Sequence, residues 1–123
     1  MKWNSSVALL VSLALGLGLT ALSCKGKSNP VNPGGADVTI NIAGQLGSNS
    51  YSPNPDTVRV GQKVAWHNAN GTTHTATANG GQFNTSNVSP GGNSGAIQMN
   101  TAGTFSYQCN IHPTMTGTLV VKP

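Results

Sequence analysis

Four residues of this 123-residue chain form a candidate set of ligands for a soft metal ion. Cys109, His112 and Met115 follow one another at intervals of three residues, and His74 lies upstream of them. A thiolate and a thioether combined with two imidazoles form a donor set that selects copper. Two His and one Cys in a plane, with a weakly bound axial Met, describe a blue-copper electron-transfer site. A Cys₂His₂ zinc site is excluded, because this region contains only one cysteine.

The local pattern indicates how three of these side chains meet. Phe105, Tyr107 and Cys109 share one face of an alternating segment, so Cys109 is expected to point inward at the end of a strand. A tight loop after this strand can then swing His112 and Met115 toward the same point. Two alternatives stay open from the residues alone: Met115 can simply fill the core, and His74 has no claim on a metal outside this set.

The elements that must position these residues are β-strands. Apolar and polar residues alternate from residue 36 onward, and clusters of Gly, Pro and Asn separate the alternating segments. We therefore predict an all-β domain over residues 36–123, a small Greek-key β-sandwich of about seven to eight strands, with a barrel as the alternative. The segments carry these alternating residues: Val38, Ile40 and Ile42; Val58 and Val60; Val64, Trp66 and Asn68; Ile97 and Met99; Leu119 to Val121. His67 has the opposite parity to Trp66 and is expected to face solvent.

Composition excludes several classes of function. Charged residues make up only 7% of the chain, and its net charge of +4 is scattered rather than clustered, which argues against nucleic-acid binding. With Asp37 and Asp56 as the only acidic residues, hydrolysis by paired carboxylates is not expected. Two cysteines are too few for a disulfide scaffold, although a bond between Cys24 and Cys109 is an alternative to a metal site.

The N-terminal segment has the features of an export signal. Lys2 precedes an apolar run that ends near residue 22, which is short for a membrane span and suits a signal peptide over residues 1–23. The residues before Cys24 resemble the lipobox of bacterial lipoproteins, and this resemblance implies lipidation of Cys24. Residues 24–35 then read as the lipid-anchor cysteine and a flexible tether. An ordinary secretory signal and a retained membrane anchor are the alternatives.

Over residues 36–123 the sequence resembles the cupredoxin family, in its plastocyanin and amicyanin branch. The spacing Cys-x-x-His-x-x-Met, with Pro after the His, is most similar to amicyanin. The resemblance implies that one type 1 copper ion is the cofactor and that its ligands are His74, Cys109, His112 and Met115. It also implies two hydrogen-bonding residues around these ligands. These residues are Asn68 and Thr75. The backbone amide of Thr75 is expected to donate a hydrogen bond to the Cys109 sulfur.

The expected function is one-electron transfer through a Cu(II)/Cu(I) couple in the cell envelope, at the periplasm or cell surface. The resemblance implies that the edge of His112 is the electron port, where a transient redox partner docks on uncharged neighbours such as Ile111, Pro113 and Thr114. The protein is expected to be a monomer, bound to a membrane through lipid on Cys24.

Three rival functions are open. A copper-binding and delivery protein would use the same four ligands. An oxidase is not expected, because its cysteine would lie between histidines, whereas here Gln108 and Asn110 flank Cys109 and the chain has three histidines in all. A metal-free adhesive sandwich is the third rival. We therefore predict that the chain is not an enzyme.

Overall fold

The computed structural model describes residues 34–123, which form two four-stranded sheets packed face to face. The eight strands are β1 Val38–Ile42, β2 Tyr51–Ser52, β3 Asp56–Arg59, β4 Lys63–Asn68, β5 Thr77–Ala78, β6 Ile97–Gln98, β7 Gly103–Gln108 and β8 Thr116–Lys122. One sheet has the order β2-β1-β4-β6 and the other β3-β8-β7-β5. The predicted all-β Greek-key sandwich is confirmed, and its eight strands match the predicted number.

Parallel and antiparallel pairs occur in both sheets. β1 runs parallel to β4, and β3 runs parallel to β8, while the remaining pairs are antiparallel. Within residues 34–123 the one helical turn is a 3₁₀ turn at Gly47–Asn49. No helix in this part of the chain is long and apolar enough to cross a membrane.

The predictions for the N-terminal segment fall mostly outside this part of the chain. The predicted signal peptide, residues 1–23, and the predicted lipidation site Cys24 lie outside the described residues, and so does the predicted tether up to residue 33. The predicted domain boundary at residue 36 lies two residues after the first described one and stays a prediction.

An aromatic cluster fills the centre of the sandwich. Trp66 stacks on Phe83 with ring centroids 5.2 Å apart and meets the edge of Tyr107 at 5.9 Å. Tyr107 in turn packs edge-on against Tyr51 at 4.7 Å. All four rings are buried, and they pack with the inward-facing aliphatic residues of both sheets. Edge-to-face and offset pairs of this kind add to the stabilisation that burial of the rings provides. The cluster therefore holds the two sheets in fixed relative positions.

The two sheets direct their connecting loops to a common end, which we call the loop end. β4 finishes there at Asn68 and β7 finishes there at Gln108, so the segments that follow them meet. At the opposite end Lys63 begins β4 and Lys122 finishes β8. All four candidate ligands lie at the loop end, in segments outside the eight strands.

The expectation that Val60 continues the buried face of β3 is wrong. Val58 is 1% exposed, whereas Val60 is 43% exposed. β3 ends at Arg59, and the chain then turns through Gly61, whose φ of 92° favours glycine. The alternation therefore stops one residue before Val60, and the Val60 side chain points to solvent.

The two valines provide a matched test of this boundary. Val58→Ala removes two buried methyl groups and leaves a cavity, so it should lower the free energy of unfolding by about 2–3 kcal/mol. Val60→Ala should change it by less than about 0.5 kcal/mol, because the side chain is largely hydrated already. Urea unfolding of the two variants measures the difference. Equal losses for the two would contradict the strand end at Arg59.

Candidate metal centre

The loop after β7 is closed by its own backbone. The Cys109 N–H donates to the Met115 carbonyl at 3.1 Å, and the Met115 N–H donates to the His112 carbonyl at 2.9 Å. Cys109 and Met115 are buried, while His112 is half-buried. The loop thereby brings three of the predicted ligands to the loop end on one short, hydrogen-bonded turn.

His74 reaches the same place from the segment that follows β4, a strand of the other sheet. It follows β4 in the chain, and two backbone hydrogen bonds pair it with Val88, from the His74 N–H at 3.2 Å and from the Val88 N–H at 2.8 Å. The His74 side chain is completely buried. This isolated β-bridge to Val88 holds the backbone of His74 at a point outside the strands, and it thereby fixes the position of the imidazole.

The three donor atoms form a compact triangle. His74 Nδ1 and His112 Nδ1 are 3.1 Å apart, and Cys109 Sγ is 3.9 Å from each of them. A triangle with these sides has its circumcentre about 2.1 Å from every corner. Zinc–nitrogen and zinc–sulfur bonds in proteins are about 2.0–2.1 Å and 2.3 Å long, so one ion of this size fits at the centre. Among the described residues, His74, Cys109 and His112 are the group of His, Cys and acidic side chains close enough to hold a metal.

Hydrogen bonds on its outer edge orient the His74 ring. Nε2 lies 3.0 Å from Asn70 Oδ1 and 3.0 Å from Thr72 Oγ1, while the Thr72 hydroxyl donates to the same Asn70 oxygen at 2.8 Å. A carboxamide oxygen only accepts, so Nε2 carries the ring proton. The lone pair of Nδ1 therefore faces the centre of the triangle, which is the form of histidine that binds a metal.

The loop that holds Asn70 is itself fixed. The Asn70 N–H donates to Asn68 Oδ1 at 2.9 Å, and the Asn68 amide donates to the carbonyls of Thr72 and Val88 at 2.7 and 2.9 Å. A Cβ at Gly44 would lie 2.6 Å from Asn70 Nδ2, so only glycine leaves room for this amide. Asn68 thus acts on His74 through the loop rather than by touching the cysteine.

Thr75 connects the two sides of the site. Its backbone N–H donates to Cys109 Sγ at 3.3 Å, and its hydroxyl accepts a hydrogen bond from the Asn110 N–H at 2.9 Å. An N–H that points at sulfur favours the thiolate form, which is the form that binds metal. Thr75 therefore links the segment that carries His74 to the segment that carries Cys109.

The surroundings of His74 favour its neutral form. Burial, and then the neighbouring charge of protonated His112, lower the pKa of His74 below its ordinary value. No Asp, Glu, Lys or Arg occurs between residues 64 and 121. The imidazole of His74 is therefore neutral and able to bind a metal at neutral pH.

The structure separates the predicted ligands from the residues that the patterns left ambiguous. His67 lies outside the triangle, and its Nδ1 lies 2.9 Å from Asn93 Oδ1. Cys109 is a free thiol within the described residues, whereas its alternative disulfide partner Cys24 lies outside them. Asn70 and Gly44 were not recognised in the sequence. They belong to loops rich in Asn and Gly, in which nothing distinguishes these two residues from their neighbours.

Comparison with solved structures identifies the fold. A purple cupredoxin from Nitrosopumilus maritimus matches with a TM-score of 0.59 and 24% identity, over 70% of this chain and 100% of its own. A variant of amicyanin in its reduced Cu(I) form matches with a TM-score of 0.58 and 26% identity, over 72% of this chain and 83% of its own. No protein-family model and no curated protein matches the sequence.

The chain has the cupredoxin fold. Its triangle of two histidines and a cysteine, together with these relatives, confirms the predicted cofactor, a single type 1 copper ion. The copper-containing nitrite reductase of Thermus scotoductus also matches, with a TM-score of 0.61 and 26% identity over 70% of this chain. This chain spans only 22% of that enzyme, so the fold is also found as one part of a much larger catalytic protein.

Removal of the Asn70 side chain should weaken copper binding without unfolding the domain. Asn70→Ala deletes the acceptor that fixes the His74 ring, and loss of such a contact typically lowers metal affinity about 10–100-fold. Competition with a chelator of known affinity measures this loss. Asn93→Ala is the matched control, because it breaks a similar contact of His67 outside the triangle. An equal loss in the two variants would show that the orientation of His74 does not depend on Asn70.

Proposed function

We propose that this protein is a one-electron carrier whose copper is held by His74, Cys109, His112 and Met115. The triangle of three donor atoms with a common centre about 2.1 Å from each carries the proposal. When bound, the copper supplies a Cu(II)/Cu(I) couple, and a Cys and two His with an axial Met are the ligands of blue-copper electron-transfer sites.

The protein contributes rigidity to this reaction. Asn70 and Thr72 fix the His74 ring, the Thr75 N–H fixes the Cys109 sulfur, and backbone hydrogen bonds fix the loop that carries His112. Donors that are held on every side move little when an electron arrives or leaves. Such preorganised groups avoid the cost of rearrangement at the moment of transfer.

Met115 is proposed as the axial ligand. Its side chain is fully buried, and backbone hydrogen bonds join it to both Cys109 and His112. A thioether at the axial position of a His₂Cys site tunes the reduction potential. Because the loop is short and Met115 is buried, solvent does not reach the Met115 sulfur.

Burial favours an electron carrier over a copper-delivery protein. Three of the four proposed ligands are fully buried, and only His112 is partly exposed. A delivery protein must hand its ion to ligands of an acceptor, which requires open coordination positions. The closed site suits an ion that stays in place while electrons pass.

We further propose that the protein is not an enzyme by itself. The relatives amicyanin and purple cupredoxin are small single-domain chains, of which this chain covers most or all. Within residues 34–123 His67 is the one histidine outside the site, so this part of the chain offers no second set of imidazoles for a catalytic copper cluster.

The docking surface is proposed to surround His112. Ile111 is 46% exposed and Pro113 is also exposed, on either side of the half-buried imidazole. The loops at this end contain no charged residue, so a partner would dock on a neutral, partly apolar surface. Small surfaces of this kind suit the transient complexes of redox proteins.

Export to the cell envelope and lipidation of Cys24 complete the proposal. The apolar segment before Cys24 supports export through a signal peptide over residues 1–23, with residues 24–35 as anchor and tether. A lipid on Cys24 would attach the domain to a membrane. The domain itself is proposed to be a monomer.

Titration with Cu(II) tests the carrier function. One equivalent should produce an intense thiolate-to-copper absorption band in the visible range, and a reductant should bleach it. Cys109→Ser should abolish the band, because the sulfur donor is lost, whereas Cys24→Ser should leave it unchanged. Visible absorption and electron paramagnetic resonance spectra measure this. A protein that binds copper without such a band would refute the type 1 assignment.

Electron self-exchange tests the docking surface without a known partner. Ile111→Glu places a negative charge beside His112, so two copies should repel each other there and the self-exchange rate should fall about tenfold or more. Val60→Glu is the control, because Val60 is similarly exposed at the opposite end. The rate of the parent protein should change less than about twofold with ionic strength, since no charge lies near the port.

Broadening of copper-site resonances in mixtures of the oxidised and reduced protein gives these rates. An equal effect of the two substitutions would show that electrons do not pass at His112.

A further inference from the structure

Within residues 34–123 the backbone of Thr75 pairs with no other backbone group. It lies between the bridge at His74 and strand β5, and it is 4% exposed. Its N–H donates to Cys109 Sγ, and its carbonyl accepts a hydrogen bond of 2.5 Å from the hydroxyl of Tyr51. A buried carbonyl without a partner is destabilising, so the conformation of Thr75 depends on the Tyr51 hydroxyl.

The Tyr51 hydroxyl reaches Thr75 from the opposite sheet. Tyr51 begins β2, where it pairs with Ile42, whereas Thr75 leads into β5. The tyrosine is buried and packs edge-on against Tyr107. The hydrogen bond therefore spans the interior of the sandwich next to the copper site.

The peptide group that follows Thr75 is fixed on both sides. Its carbonyl accepts from Tyr51, and its N–H, which belongs to Ala76, donates to Thr85 Oγ1 at 2.9 Å. Loss of the Tyr51 hydroxyl would leave one side of this peptide free to rotate. If Thr75 shifts to find another partner for this carbonyl, its N–H moves with the residue and changes its position relative to the sulfur.

The Tyr51 hydroxyl remains a donor at ordinary pH. Burial, then the negative charge of the Cys109 thiolate and then Tyr107 raise the pKa of Tyr51 above its usual value.

We propose that Tyr51 is a positioning residue that sets the reduction potential of the copper centre by holding the Thr75 N–H on the Cys109 sulfur. The proposal rests on the carrier function proposed above. A hydrogen bond to the thiolate stabilises its negative charge, so the sulfur donates less charge to Cu(II). Hydrogen bonds to ligand sulfur are one of the ways in which proteins tune metal potentials. The Tyr51 hydroxyl should therefore favour Cu(I) and raise the potential.

The chain contains a matched control for this test, since it has only two tyrosines and both lie in the aromatic cluster. The hydroxyl of Tyr107 is buried and has no hydrogen-bond partner within residues 34–123. Tyr107→Phe thus removes a hydroxyl of the same size from the same cluster without touching Thr75.

Tyr51→Phe should lower the midpoint potential measured by voltammetry. At a fixed applied potential the ratio of Cu(I) to Cu(II) should fall about threefold, the low end of what one hydrogen bond contributes. The thiolate-to-copper band should move to longer wavelength. In the metal-free protein the Thr75 amide should exchange its hydrogen faster, while the amides of His74 and Val88 keep their rates. Tyr107→Phe should leave all three readouts at the parent values.

An unchanged potential and Thr75 amide in Tyr51→Phe would overturn the proposal, and so would equal shifts in the two variants. If Tyr51→Phe does not fold, fluorotyrosine incorporated into the Tyr107→Phe protein replaces Tyr51 alone. Its hydroxyl is a stronger donor, so the potential should rise, and no rise would overturn the proposal. A parent protein without a thiolate-to-copper band would refute the carrier function, whereas the Thr75 amide would still report whether Tyr51 positions it.

Discussion

The convergence of two imidazole nitrogens and one sulfur within 3.9 Å is the constraint on which the rest of this structure depends. Three electron-pair donors repel one another at such distances unless a cation lies between them. Buried polar groups are also costly unless each has a partner. The fold meets this requirement from outside the triangle, where hydrogen bonds hold the His74 ring, the Cys109 sulfur and the backbone of His112 in place. The sandwich supplies them from both sheets.

Uncharged side chains do most of this positioning. Asn68 and Asn70 tie the loop before His74, and Thr72 and Thr75 complete the contacts around the ring and the sulfur. Carboxylates in place of the two amides could accept hydrogen bonds, but they could not donate to the carbonyls of Thr72 and Val88 as Asn68 does, and they would add negative charge beside the thiolate. Amides and hydroxyls fix the donors without that charge. The scarcity of charged residues in the sequence therefore has a structural counterpart at the metal centre.

Local periodicity was sufficient to predict one part of the site and all strands except β2 and β5, each of which is only two residues long. The parity of Cys109 with Tyr107 placed its sulfur inside, and the spacing to His112 and Met115 needed only one short loop. The pattern did not show that β3 stops at Arg59, because a turn residue decides this and Val60 still fits the alternation. Contacts of Tyr51 with Thr75, or of Gly44 with Asn70, join residues 24 to 26 positions apart and depend on how the sheets stack. No periodic signal in one sequence carries such information.

The point at which the chain enters the domain has a consequence for how electrons can travel. Asp37 exchanges hydrogen bonds with Lys63, from its N–H to the Lys63 carbonyl at 2.7 Å and from the Lys63 N–H to its carboxylate at 2.8 Å. From there β4 runs about 17 Å to Asn68 at the loop end. The described chain therefore enters the domain at the end opposite His112, and the length of the sandwich separates these two ends. Electron tunnelling weakens steeply over such a distance, so the domain must turn round before it can exchange an electron with a body on that side.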